Sequence, residues 1–414
     1  MEKNTLRIAV VSDLHFVNKD KVGDTDKHSW LTFTQDGKGL NNNFWKTLLD
    51  RIQLDKLKAD LLICPGDITT HAEPTALAFA WDRLNELAQA LDCKILATAT
   101  GNHDVISRIP DTKNPVRDLN DIYGIVENLK QLKPPYPLVD LNTPDSKIAH
   151  QNRIHYFGSD YLVYDEAEDY RLVILNSCSV HTSDTKSYER GHITKSTLSW
   201  LEESLKESKK KKLGILVCHH HPIQHDEHEL GSYDFINGGT RLMDVLSRNG
   251  SWLVIHGHKH HAKLSYHMIG SKKITVFAAG TLSSHKNTLA KDFANQFYII
   301  EADSSKKIGT SKGKLKAYSW RGTHWSLSRS RNDGVFTGIG FGDIGCLEEL
   351  SEKLAKEVVG PMKVKWEDLK NKFPELHYCV PKDLEHLENY LREYSVDMVI
   401  SDEFEIIGLE KAKG

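Results

Sequence analysis

Cysteine is scarce in this chain: six in 414 residues, at 64, 93, 178, 218, 346 and 379, with no Cys-x-x-Cys pair. That spacing excludes a disulfide-stapled scaffold and a cysteine-rich zinc module, and it reads as reduced thiols in a cytoplasmic protein. Long apolar runs are missing too. No stretch approaches the roughly 18–20 apolar residues of a membrane span, and the opening MEKNTLRIAVVSD lacks the basic-then-apolar layout of a secretory signal, so no membrane partner is expected. Net charge is small: 54 Lys and Arg stand against 57 Asp and Glu, for a formal charge of −3. Such a balance gives no general electrostatic case for nucleic acid. The two lysine-rich stretches, Lys209 to Lys212 and Lys306 to Lys316, read as a helix C-terminus, where cations suit the dipole, and a solvated loop.

The chain has a soluble, globular composition, 39% hydrophobic and 27% charged, and an unusual load of 22 histidines. Its length favours one large domain plus an appendage. Short apolar runs at Leu6–Val11, Leu61–Cys64, Ile95–Ala99, Leu213–Val217 and Trp252–Ile255 predict buried strands. Amphipathic helices are predicted between them, at Phe44–Leu57, Pro74–Leu91, Lys195–Lys206 and Thr240–Ser247. That alternation predicts an α/β fold with a largely parallel sheet. Strands are also expected at about 154–164 and 171–176. A run of antiparallel strands follows at 263–268, 273–279, 296–301 and 314–320. Residues 1–330 form the main domain, with insertions near 16–39 and 105–153. Asn332 to Gly345 reads as a Gly-rich linker, and 331–414 as a small C-terminal α+β appendage able to carry a homodimer contact or a protein partner. The insertions flank the strand ends and are candidate substrate lids; His28, Arg108 and Tyr123 within them could touch substrate.

Five polar clusters follow the five strands directly. They are Asp13-Leu14-His15, Gly66-Asp67, Gly101-Asn102-His103-Asp104, the triplet His219-His220-His221 before Pro222, and Gly257-His258-Lys259-His260. Open α/β sheets build sites outside the carboxyl ends of their strands, so the five can converge. Singly each has a bland reading: a surface loop, a turn, a helix cap. Jointly, in this order, they read as a metal centre. Imidazole and carboxylate together suit Mn, Fe, Zn, Co or Ni better than Ca, which wants oxygen alone. Two ions about 3.5–4 Å apart can clamp a phosphoryl group and activate water.

The ordered set resembles the calcineurin-like metallophosphoesterase superfamily over about residues 6–305. The resemblance implies a two-sheet αββα sandwich and two divalent transition-metal ions, with Mn favoured. It implies Asp13, His15, Asp67 and His260 as ligands of one ion, and Asp67, Asn102, His220 and His258 as ligands of the other. His220 is selected because the family's fourth-block ligand stands two residues before a proline; His219 is the alternative. His103 would assist the leaving oxygen, with Asp104 orienting it, while a hydroxide held between the ions attacks phosphorus. No Arg-Gly pair follows Asp67, which sets the serine/threonine phosphatases aside. The run Gly66-Asp67-Ile68-Thr69 and the His-His-Pro step look like the class III cyclic-nucleotide phosphodiesterases. A phosphodiesterase acting on a nucleotide or cyclic nucleotide is therefore the expected function. The alternatives are a metal-dependent DNA nuclease of the double-strand-break repair type and a metal-bound scaffold acting through its appendage. Nucleic acid is thus a possible but secondary partner.

Overall fold

The computed structural model describes residues 5–22, 29–34, 40, 42–70, 72–106, 124–181, 189–207, 212–224, 234–285, 293–305 and 309–412. His28, Arg108 and Tyr123 lie outside the described residues, as does Lys209 to Lys211.

Two sheets stack face to face. In the first, the Thr5–Val10 strand runs parallel to Leu61–Cys64, which runs parallel to Ile95–Thr98. Antiparallel strands extend it on both sides: Leu138–Asp140 at one edge, and Gln296–Asp303, Gly313–Trp320 and Trp325–Ser328 at the other. The second sheet has the order Lys263–Ile269, Lys272–Ala278, Trp252–His256, Leu213–Val217, Tyr170–Leu175, Tyr161–Tyr164. Its four central strands are parallel. This is the expected α/β sandwich.

Side-chain alternation sorts the second sheet between two cores. Leu213, Ile215 and Val217 face the core between the sheets, as do Leu253 and Ile255. Leu216, Cys218, Trp252 and Val254 face the outer core, where the Gly239–Arg248 helix lays down Leu242, Met243, Val245 and Leu246. On the other flank the Pro74–Ala90 helix starts at Glu73, whose carboxylate accepts from the Thr75 and Ala76 N–H groups. It buries Leu77, Ala80, Trp81 and Leu84.

Three local expectations are corrected. Residues Lys147–Ser159 are a helix, not part of a strand. The Ser146 hydroxyl caps it by accepting from Ala149 N–H, and Asp160 ends it in the left-handed region. The apolar residues that suggested a strand are spread around its circumference: Ala149 and Tyr156 are buried while Ile154 is 72% exposed. Asn332 to Gly345 is no linker. Val335, Phe336, Ile339, Phe341 and Ile344 are buried, and Gly340–Phe341 pairs with the Gly313–Trp320 strand, so the first sheet reaches past residue 330. Finally, Lys212 is buried, its ammonium donating to the Asp165 carboxylate at 2.7 Å and the Asp165 carbonyl at 2.9 Å.

The C-terminal part packs the helices Leu347–Ala355, Trp366–Lys372 and Pro381–Glu393 against a three-stranded sheet of Val364–Lys365, Ile406–Lys411 and Val396–Ile400. It docks on the sandwich through Glu388, which Arg331 meets at 3.0 Å, and through Tyr378, whose ring centroid lies 4.0 Å from Lys312 Nζ. No helix among the described residues is long and apolar enough to cross a membrane.

Candidate metal centre

All five clusters sit at the carboxyl ends of their strands, three from one sheet and two from the other. Main-chain bonds staple the turns together. Asp13 N–H donates to Gly66 O, His15 N–H to Asp67 O, and Gly257 N–H to His219 O, each at 3.0–3.1 Å. The turns are tight enough to hold five candidate ligands in the left-handed region: Asp13, His15, Asp67, His258 and His260, with φ between 48° and 84°. Non-glycine residues take that conformation at a cost, and such residues gather where function holds them. Gly101 and Gly257 stand where a Cβ would press into the carboxylates of Asp67 and Asp13 respectively.

The ligand atoms form overlapping groups. Asp13, His15 and His260 are one, and Asp67, His219 and His258 another, each with its ligand atoms within 4.8 Å of one another. In the first, His15 Nε2 is 2.9 Å from His260 Nε2, and His260 Nε2 is 3.6 Å from Asp13 Oδ1. In the second, His219 Nε2 lies 2.9 Å from Asn102 Oδ1 and 3.3 Å from Asp67 Oδ2, and His258 Nδ1 is 3.2 Å from both Asn102 Oδ1 and His219 Nε2. Asp67 belongs to both sets, since its Oδ2 is also 3.9 Å from His15 Nε2.

His220 does not join them, and here the expected register is corrected. The odd-numbered residues of Leu213–Val217 face the space between the sheets, and His219 continues that parity into the centre. His220 turns the other way, its Nδ1 2.8 Å from Ser177 Oγ. His103 is at the centre's edge. Its main-chain N–H donates to Asp67 Oδ1 at 2.8 Å, its Nδ1 is 2.6 Å from the Thr70 carbonyl, and its ring meets His15 edge-on at 5.0 Å. The expected orienting role of Asp104 changes accordingly. The carboxylate accepts from the Thr69 and Gly101 N–H groups at 3.0 Å, so it ties two strand-end loops together, and a carbonyl is seen holding the His103 ring.

Sequence reasoning missed the groups behind the ligands. His219 Nδ1 is 3.1 Å from Pro65 O, His258 Nε2 is 3.5 Å from Asp234 Oδ1, and His260 Nδ1 is 3.2 Å from Ser284 Oγ. His219 and His260 thus have one nitrogen turned inward and the other held from outside, the usual setting of a metal-bound histidine, while His258 Nε2 faces the Asp234 carboxylate at ion-pair distance. No sequence signal marks a carbonyl or a lone serine for that task.

Electrostatics tests whether a cation fits. Asp13 and Asp67 are almost wholly buried, and an unpaired buried ion costs several kcal/mol. Burial pushes Asp13 up to about 7 and brings His258 down to about 4. Burial also raises Asp104 to about 7, helped by the Asp67 charge. Burial would raise Asp67 as well, but His219 and His103 outweigh it and hold that carboxyl well below its usual range. Burial opposes charge on His219, and Asp67 outweighs it, lifting the ring to about 9. A proton on His219 therefore sits where inward-turned acceptors of Asp67, Asn102 and His258 meet. Divalent cations would satisfy those atoms together, so the residues fit a two-metal centre.

Among curated proteins none matches this chain. Similar solved structures include the purple acid phosphatase PPD1 of yellow lupin, Lupinus luteus, at 13% identity over 78% of this chain and 53% of that one, TM-score 0.44. A 5'-nucleotidase precursor from Thermus thermophilus is similar at 12% identity, over 75% and 54% of the two chains, TM-score 0.36. The phosphopantetheinyl hydrolase of Mycobacterium tuberculosis is similar at 11% identity, over 67% and 90%, TM-score 0.34. The chain spans about half the length of the lupin and Thermus proteins. A family model described as wHTH-Calcineurin_assc matches residues 339–393. The model described as calcineurin-like phosphoesterase matches residues 6–262, well over half of the chain, and with the strand-end order of its ligands the protein belongs to that family.

Proposed function

We propose that this protein is a two-metal phosphodiesterase that hydrolyses a nucleotide or cyclic-nucleotide diester. The observation that carries the reading is the sharing of Asp67 between the two sets of ligand atoms. Asp13, His15, Asp67 and His260 would hold one ion; Asp67, Asn102, His219 and His258 would hold the other. The donor set suits Mn, Fe, Zn, Co or Ni, with Mn favoured. Such ions stabilise charge on a phosphoryl group and lower the pKa of bound water from about 15.7 towards about 7.

The chain's own contribution is orientation and one proton. Asp67 fixes His103 by accepting from its main-chain N–H, and the Thr70 carbonyl accepts a hydrogen bond from Nδ1–H. That leaves Nε2 of His103 as the nitrogen to carry a second proton, which the imidazolium would hand to the departing oxygen, returning to the neutral ring. The likeness of Gly66-Asp67-Ile68-Thr69 to the class III cyclic-nucleotide enzymes supports the proposed substrate class. A second reading, a metal-dependent DNA nuclease, is favoured by the match at residues 339–393, because helix-turn-helix units commonly set a helix into a DNA groove.

The test compares a chromogenic phosphodiester, the matching monoester, and single-stranded and duplex DNA, each with Mn2+ and with chelator. The expected result is metal-dependent diester cleavage without DNA cutting. Preference for the monoester would sink the diesterase, and degradation of DNA would install the nuclease.

A further inference from the structure

Behind the ligands lies a second cluster that the two-metal reading does not use. Cys178, His181 and His220 are each at most 1% exposed, and a ligand atom from each lies within 4.8 Å of the other two. They come from separate stretches: Cys178 and His181 from the turn after the Tyr170–Leu175 strand, His220 from the turn after Leu213–Val217.

The hydrogen bonding around the rings is incomplete. His181 donates from Nε2 to the Arg190 carbonyl at 3.3 Å, which leaves Nδ1 as a bare lone pair. That Nδ1 is buried with no partner, and so is Nε2 of His220. Buried polar nitrogens are nearly always paired, so each such atom calls for an explanation. The sulfur of Cys178 is 3.9 Å from His220 Nδ1; that nitrogen also meets Ser177 Oγ at 2.8 Å and the thiol donates to the Thr100 carbonyl at 3.2 Å, two contacts that an ion between sulfur and ring would replace. Sulfur and nitrogen bound to one tetrahedral zinc at about 2.3 and 2.1 Å stand about 3.6 Å apart, a few tenths of an ångström from the sulfur-to-Nδ1 spacing. A ring donating its far N–H to a carbonyl is also how histidines are fixed for a metal.

We infer that Cys178, His181 and His220 form a third cation site, for a borderline or soft transition ion of the zinc class, separate from the pair held around Asp67. A thiolate and two imidazoles select such ions over Mg or Ca. The site is one ring removed from the pair, since the His220 and His258 rings meet at 4.5 Å between centroids, tilted by 51°. Binding there would displace the Cys178 thiol proton and form one sulfur–metal bond, with no oxidation.

No cysteine is among the residues assigned to the pair, so a thiolate signature reports on this site alone. The full-length protein is loaded with Zn2+ for metal counting and with Co2+ for absorption. The expected result is three ions per chain and a thiolate-to-cobalt charge-transfer band. Cys178→Ser, and independently His181→Gln, should bind one ion fewer, and Cys178→Ser should lose the band. Cys64→Ser and Cys218→Ser should keep both. Asp67→Asn should lose ions of the pair yet keep the band, which separates failure of this site from failure of the two-metal reading. Wild-type protein without a thiolate band, or a band that survives Cys178→Ser, overturns the inference. Circular dichroism of each variant identifies loss by misfolding, and the two variants must agree for the inference to stand.

Discussion

At the scale of single residues, the centre is set by what lies one bond behind each ligand. Asp234 shows this best. It is 3.5 Å from His258 Nε2 and 2.9 Å from Lys259 Nζ, and these partners hold its carboxyl below the usual range despite burial. Replacing such an outer partner typically costs about 10–100-fold in metal affinity. Asp234→Ala is expected to weaken Mn2+ binding by about that factor, and Asp234→Asn by less, because an amide oxygen still faces His258 Nε2. Calorimetric titration with Mn2+ checks this, and unchanged affinity in Asp234→Ala would dismiss the role. Most of the candidate centre could be read in the sequence because Asp13, His15, Asp67, Asn102, His258 and His260 follow their strands at once, where direction is fixed. The histidine triplet could not be read securely. Leu213–Val217 is apolar at every position, so the sequence does not say which parity faces the sister sheet, and distance to Pro222 pointed one residue too far.

At the scale of elements, the strand ends carry the strain and the function together. Gly257 is the junction where the Trp252–His256 strand passes the Asp13 carboxylate and the Ser12 hydroxyl that donates to it. A methyl group there meets both, and overpacking of this kind costs about 1–3 kcal/mol. Gly257→Ala should therefore lower the melting temperature and reduce the number of tightly bound ions in the same protein. A variant that melts as wild type with all its ions would show that the loop yields freely. The strands themselves were legible because short apolar runs ended in turn residues. Two elements were not. Lys147–Ser159 buries so little that it lacks a clear helical stripe, and residues 332–345 hide a buried apolar set among glycines that turn the chain, with positive φ at Gly334, Gly338, Gly342 and Gly345.

At the scale of the whole molecule, the sandwich does not end where composition changes. Truncation after residue 330 removes Phe336, Ile339 and Phe341 from its core, whereas truncation after 345 keeps them. Fully burying such side chains is worth about 1.5–3 kcal/mol each. The shorter protein should melt several degrees below the longer one in differential scanning calorimetry, and equal melting would place the boundary at 330 after all. The same long-range construction bears on the ligand sets. The His258 N–H reaches Asp13 across 245 positions of chain, so the candidate ligand sets assemble only when both sheets are docked. Ions that bind only the folded form add stability by mass action, about 2.7 kcal/mol at a concentration a hundred times the Kd. On the two-metal reading, metal supply would then govern how long the folded chain survives as well as how fast it turns over, and scarcity would be felt first as proteolysis.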